Sequence, residues 1–179
     1  MTGMLVAVVG PSGVGKDSVI AGMVAARPDL HWVRRAITRP PSDTEPFESV
    51  TPDAFAARDA ADGFCLSWEA HGLRYGIPAE ALAAVRGGSV QVANLSRGRI
   101  ARAAEIFPAL RVLCLTARPE TLAARLSGRG RETEAAIAER LARRAPLPAG
   151  LDVVEIANDG PLAGTVAQAL AALPAPVRG

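Results

Sequence analysis

An α/β fold, with a parallel sheet covered on both faces by helices, follows from three features of this sequence. Short apolar runs alternate with longer helical stretches from one end of the chain to the other. The runs are continuously apolar, as strands buried on both faces are, rather than alternating. The first of them, Met4–Val9, leads straight into a glycine-rich turn and a helix, MLVAVVGPSGVGKDS. With 179 residues the chain suits one domain, 1–179, large enough to bury a core.

Strands are expected at Met4–Val9, Trp32–Ile37, Phe64–Trp68, Ser89–Asn94, Arg111–Thr116 and Leu151–Ala157. Helices are expected at Lys16–Ala26, Pro52–Ala61, Pro78–Arg86, Arg97–Ile106, Pro119–Leu126, Glu134–Arg144 and Leu162–Leu173. Thr51-Pro52 reads as an N-cap followed by proline at the first helical position, and Asp159-Gly160-Pro161 breaks the chain before the last helix. No repeat and no long linker interrupts this pattern, and the tail Pro174–Gly179 is expected to fray.

Composition narrows the function classes. Hydrophobic residues make up 49% and charged residues 21%, which is globular, and with aromatics at 4% the core must come from Val, Leu, Ile and Ala. A net charge of +2 is too slight to argue for nucleic acid. Met4–Val9 is too short for a signal segment or a membrane span and no basic residue precedes it. Cys65 and Cys114 sit in apolar runs and read as small buried hydrophobes; two of them make no four-ligand metal site. The expectation is a cytoplasmic protein with neither a nucleic-acid nor a membrane partner.

The strongest motif is Gly10-Pro11-Ser12-Gly13-Val14-Gly15-Lys16, between strand and helix. Its glycines let the chain curl so that successive amides point at a β-phosphate, and the helix adds its positive end. Lys16, the only lysine in the chain, then reaches the β- and γ-oxygens of a nucleotide. This P-loop, Gly10–Ser18, predicts ATP as phosphate donor, with Mg²⁺. The position after the lysine is normally Ser or Thr, a metal ligand; here it is Asp17, followed by Ser18. Either Asp17 holds Mg²⁺, directly or through water, or it complements the helix dipole and Ser18 holds the ion.

GPSGVGKDS, ITRP at Ile37–Pro40, WEAHGLRYG at Trp68–Gly76, RLSGRGRE at Arg125–Glu132 and DVVEIANDG at Asp152–Gly160 follow one another as in guanylate kinases, which the chain resembles over nearly its whole length. The resemblance implies a nucleoside-monophosphate-kinase-like P-loop fold: a core (1–37 and 86–179), an acceptor-binding insert at about 38–85, and an arginine lid at about 127–139. Arg125, Arg129 and Arg140 match lid arginines that close on the ATP phosphates and the transferring group, a task suited to the planar guanidinium. Arg39 and Tyr75 match phosphate-binding residues, and Asn158 a residue framing adenine. Arg34 and Arg35 are further cations before the insert; alternation would send them to opposite faces, so one at most faces the cleft, with Arg35 the candidate.

The base-reading positions depart from that family. Where guanylate kinases read the guanine edge with a glutamate and a Ser or Thr, this chain has Ser67 and Ile77. Isoleucine makes no hydrogen bond, and a site without its polar contacts loses discrimination steeply. Glu69, two residues on, is expected to point differently. After the strand at Ser89–Asn94, Asn94, Ser96 and Arg97 stand where guanylate kinases carry acids, which favours a more anionic acceptor. With GKDS, LSW, HGLRYG and NLSRG, the combination resembles the ribose 1,5-bisphosphate phosphokinases, guanylate-kinase relatives of phosphonate breakdown. That resemblance implies ATP-dependent phosphorylation of ribose 1,5-bisphosphate to 5-phosphoribosyl 1-diphosphate, with Lys16, Arg125, Arg129 and Arg140 catalytic. Two other readings stay open: a guanylate kinase or another small-metabolite P-loop kinase, and a non-catalytic guanylate-kinase-like binding module.

Overall fold

The structure, a computed structural model, describes residues 3–43, 45–127, 133–142 and 144–176. Its core is a parallel sheet in which β1 (Met4–Val9) lies between β7 (Val90–Asn94) and β8 (Leu110–Thr116). Outside them run β2 (Leu30–Trp32), next to β7, and β9 (Asp152–Ala157), next to β8. The apolar run of β1 explains its central place. Leu5, Ala7 and Val9 belong to one buried cluster and Val6 and Val8 to another, so alternation delivers side chains to both faces. Each large aliphatic buried in this way stabilises the fold by about 1.5–3 kcal/mol.

Helices cover the two faces unequally in the chain. α1 (Lys16–Ala26) and α7 (Leu162–Ala171) bring Val19, Ile20, Met23 and Ala169 to the Val6–Val8 side. α3 (Ala79–Arg86) and α4 (Ile100–Ile106) bring Ala81, Val85, Ile100 and Ala103 to the other. α5 (Pro119–Ser127) and α6 (Glu134–Ala142) join the first side through Leu122 and Ile137.

A second sheet sits at the C-terminal edge of this core, in the order β4 (Glu48–Ser49), β3 (Ala36–Ile37), β6 (Leu73–Pro78), β5 (Phe64–Ala70). β3 pairs parallel with β4 and antiparallel with β6, which forms a hairpin with β5. α2 (Pro52–Ala60) is capped as expected: Thr51 Oγ1 accepts from the Ala54 amide at 3.2 Å. Phe55 of α2 stacks on Phe64 of β5 with centroids 4.6 Å apart.

Four elements differ from the sequence expectation, one of them the short β4, which lies where no strand is expected. The single strand Trp32–Ile37 is two, because Leu30–Trp32 pairs with β7 while Ala36–Ile37 pairs with β6 in the other sheet. Leu73–Pro78, not expected as a strand, is β6. The turn that makes it, His71-Gly72, has both residues at positive φ (54° and 73°), the geometry of a two-residue hairpin loop. The expected helix Arg97–Ile106 opens as a 3₁₀ turn, Arg97–Arg99, before α4. Among the described residues no helix is long and apolar enough to cross a membrane.

Candidate active site

The loop after β1 is shaped by its glycines. Gly13 (φ 81°) and Gly15 (φ 96°) are left-handed, and a Cβ at Gly15 would come within 2.8 Å of Asn158 Nδ2. Val14 between them is fully buried, which pins the middle of the loop. Its carbonyl accepts from Asn158 Nδ2 at 2.8 Å and from Arg125 Nη1 at 3.1 Å. Asn158 Oδ1 in turn accepts from Thr165 Oγ1 at 2.6 Å, and the Asn158 carbonyl accepts from Arg125 Nη2 at 2.7 Å. Both ends of the Asn158 side chain are therefore bonded to protein, and it braces the loop from beneath. Arg125 clamps the same loop to the end of β9.

Lys16 Nζ curls over the loop and donates to the carbonyls of Gly10 (2.8 Å) and Pro11 (3.2 Å). Burial depresses the ammonium to a pKa of about 8; Asp17 and Glu45 pull it back up, and Arg35 pushes it down. Arg35 and Glu45 belong to the second sheet's side of the cleft, so the loop and that side share one electrostatic neighbourhood. Asp17 and Ser18 lie in the first turn of α1, with Asp17 Oδ1 accepting from Asn94 Nδ2 at 3.0 Å. Burial first, then the Glu45 carboxylate, raises the Asp17 carboxyl above its ordinary value, while the Asn94 bond opposes them.

A cleft of about 390 Å³ opens between α1 and the 42–46 segment, lined by Asp17, Ser18, Trp32, Ser42, Asp43 and Glu45 among others. Asp17 and the exposed Ser18 hydroxyl are hard oxygen donors facing it. Among the described residues no three His, Cys, Asp or Glu side chains form a metal cage. That donor set fits Mg²⁺, which takes one or two protein oxygens and completes its shell with phosphates and water.

Across the cleft, Arg35 is buried and 8% exposed, whereas its neighbour Arg34 is exposed and donates to the Phe47 carbonyl at 3.4 Å. Arg35 and Arg39 both bind the Glu45 carboxylate, Arg39 at 3.3 Å. The Arg35 guanidinium lies over the Tyr75 ring at 5.4 Å, and Tyr75 stacks on Trp68 at 5.3 Å with planes 8° apart. Arg39 lies over Phe47 at 4.4 Å. Glu45 carries no local sequence signal, and Trp68, which opens the WEAHGLRYG motif, joins the cluster only through the pairing of β5 with β6 that stacks it on Tyr75.

In β5 the side chains alternate, with Leu66 and Trp68 buried and Ser67 and Glu69 on the face away from Tyr75. Glu69 therefore does not diverge from Ser67: residues two apart in a strand share a face. Ile77 is completely buried in the core. Ile77 offers no hydrogen-bonding side chain, and the Ser67 hydroxyl lies on the face opposite Tyr75.

The remaining candidates are dispersed. Ser96 is exposed ahead of the 3₁₀ turn, and Arg97 donates to Cys114 Sγ at 3.0 Å and to the Ala145 carbonyl at 3.3 Å, away from the arginine pair. Arg140 is exposed on α6, which Ile137 anchors in the core. Arg129 and residues 128–132 of the expected lid lie outside the described residues.

No protein-family model matches the chain. Among solved structures it is similar to a guanylate kinase from Anaplasma phagocytophilum (TM-score 0.66, 13% identity, 94% of this chain and 81% of that one). It is also similar to a gluconokinase from Sinorhizobium meliloti 1021 (TM-score 0.55, 20% identity, 96% and 91%). At these identities the likeness shows the P-loop kinase fold. Curated relatives are nearer in sequence. A ribose 1,5-bisphosphate phosphokinase PhnN of Ruegeria sp. (strain TM1040) is 47% identical over 97% of this chain and 93% of its own length. Another so named, from Acidiphilium cryptum (strain JF-5), is 47% identical over 88% of this chain and 85% of its own. The chain belongs to the ribose 1,5-bisphosphate phosphokinase family.

Proposed function

We propose that this protein transfers the γ-phosphate of ATP to the 1-phosphate of ribose 1,5-bisphosphate, giving 5-phosphoribosyl 1-diphosphate and ADP. One observation carries the choice of acceptor: the side of the cleft facing Lys16 holds two arginines stacked on aromatic rings, while Ser67 is turned away and Ile77 is buried. An acceptor with two phosphates and no base suits such a wall, and its curated relatives carry the same activity in their names. The cytoplasm, which supplies ATP, is the compartment we assign to it.

A terminal oxygen of the 1-phosphate attacks the γ-phosphorus, the bond from that phosphorus to the β–γ bridging oxygen breaks, and ADP leaves. The attacking oxygen is already anionic, so no strong general base is required. The protein's part is positioning and charge. The amides of Gly10–Ser18 hold the donor phosphates; Lys16 exchanges its two loop carbonyls for β- and γ-oxygens and neutralises charge building there. Mg²⁺, held by Asp17 or Ser18 together with phosphate oxygens, would supply further neutralisation. Arg35, Arg39 and Tyr75 hold acceptor phosphate. Asn94 sets the Asp17 carboxylate, with Ser96 and Arg97 further along the same crevice edge. Arg125 and Arg140, with Arg129, act on the donor side.

The test is a panel of acceptors with ATP: ribose 1,5-bisphosphate, GMP, gluconate and shikimate. Turnover with ribose 1,5-bisphosphate and little with the others is the expected result. Efficient GMP phosphorylation would overturn the acceptor assignment, and failure to bind ATP at millimolar concentration would overturn the kinase assignment.

A further inference from the structure

Among the described residues, Glu45 is the one acid paired with both Arg35 and Arg39, the arginines assigned to the acceptor. It sits on the segment joining β3 to β4, between the exposed Asp43 and Pro46, and its carboxylate is largely shielded at 11% exposure. Each arginine also has a support other than Glu45. Arg35 lies on the Tyr75 ring and Arg39 on the Phe47 ring, so both guanidiniums keep a supporting face if the carboxylate leaves.

Charge and hydrogen bonding both mark Glu45 as a stand-in. A sugar phosphate carries a charge of roughly minus two. Added beside Glu45 it would set three negative charges against the two guanidiniums; replacing Glu45, it would set two against two. Glu45 also leaves a donor unmet: Arg39 Nε is buried with no hydrogen-bond partner. A carboxylate has two oxygens for this seat, whereas a phosphate monoester has three terminal oxygens, one more for the orphaned donor.

We propose that Glu45 determines acceptor specificity by occupying the phosphate seat on Arg35 and Arg39, so that a ligand is held only if its phosphate displaces this resident carboxylate. The proposal rests on the reading of these arginines as the acceptor's anchors. A tethered carboxylate competes at high effective concentration, and the apparent affinity of any ligand falls by the fraction of time the seat is open. Weak or singly charged anions are thereby excluded, while a phosphate dianion wins the exchange and carries Glu45 away from the arginines.

The experiment is calorimetric titration of ribose 5-phosphate into the wild type and Glu45→Gln, with ADP present to fill the P-loop. The variant is expected to bind ribose 5-phosphate about ten-fold tighter. In turnover with ribose 1,5-bisphosphate, its acceptor KM is expected to fall by more than its kcat changes. If Glu45 merely positioned the arginines, both readouts would move the other way; unchanged or weaker binding overturns the proposal. Should Glu45→Gln not accumulate folded, Glu45→Asp, whose shorter arm reaches the seat less well, is expected to tighten binding about three-fold, and no tightening there overturns it equally. The two assignments fail separately. A wild type that turns over ribose 1,5-bisphosphate without tightening in either variant sinks only the role of Glu45; a wild type inactive on ribose 1,5-bisphosphate sinks the proposed reaction.

Discussion

The donor end and the acceptor end of this cleft are made of different materials. The donor end is backbone: left-handed glycines, amides and the Val14 carbonyl braced by Asn158 and Arg125. The acceptor end is side chain: Arg35 and Arg39 on aromatic faces, bridged by Glu45. A backbone cradle tolerates changes of side chain and fails when a Cβ is added. A side-chain wall keeps its fold through many substitutions and changes its ligand with one.

Predictions sharpen this contrast in descending order of effect. Lys16→Ala removes the only positive charge of the Gly10–Ser18 loop, and turnover is expected to fall at least about 1,000-fold with every acceptor while the protein stays folded. Steady-state rates with thermal melting check it, and normal turnover would refute the role of the loop. Arg35→Met acts on the opposite wall. It is expected to raise the acceptor KM about 100-fold and to move the ATP KM less than about three-fold. A parallel rise in both constants would mean that the two ends are not separable.

Gly15→Ala is the converse. The added Cβ meets Asn158 Nδ2 at 2.8 Å, and the left-handed backbone costs a residue with a side chain about 1–2 kcal/mol. ATP binding should weaken about ten-fold, with ribose 5-phosphate affinity retained.

The protonation of Lys16 gives a milder test. Its ammonium titrates at about 8 in the ligand-free enzyme, so kcat/KM for ATP should decline above that pH. Bound phosphates favour the charged form and should carry the decline in kcat to higher pH. The same depression from 10.5 bears on stability. Below about 8 both folded and unfolded chains hold this proton; between about 8 and 10.5 only the unfolded chain does. The cost of burying the charge is then relieved, so this contribution to stability rises with pH over that window. Chemical unfolding of the ligand-free enzyme across the range measures it, and Lys16→Met should abolish the rise.

The donor end was legible because its geometry is local. Gly10 to Lys16 specify their own turn, and a strand before and a helix after are read from adjacent residues. The family resemblance points to Asn158, but its bonds to Val14 and Thr165 are not legible in the sequence, because those residues meet it only once the chain is folded. The strand β6 has one local signal, the two-residue turn His71-Gly72 between the runs that pair as a hairpin. The division of Trp32–Ile37 falls at Arg34-Arg35, but only the different partners of the two halves, β7 and β6, place them in separate sheets.

Amino-acid order alone determined the parallel core, the phosphate-binding turn and the lack of a carboxylate at position 67 and of a hydroxyl at position 77, because each depends on neighbouring residues or on residue identity. Tertiary structure decided that Arg35 rather than Arg34 is buried, that Tyr75 and Phe47 support Arg35 and Arg39, and that Glu45 rests between them. Those contacts join β6 to the segments flanking β3 and β4. Their energies come from charges and rings brought within a few ångströms of each other by strand pairing, and no spacing along the chain encodes that distance.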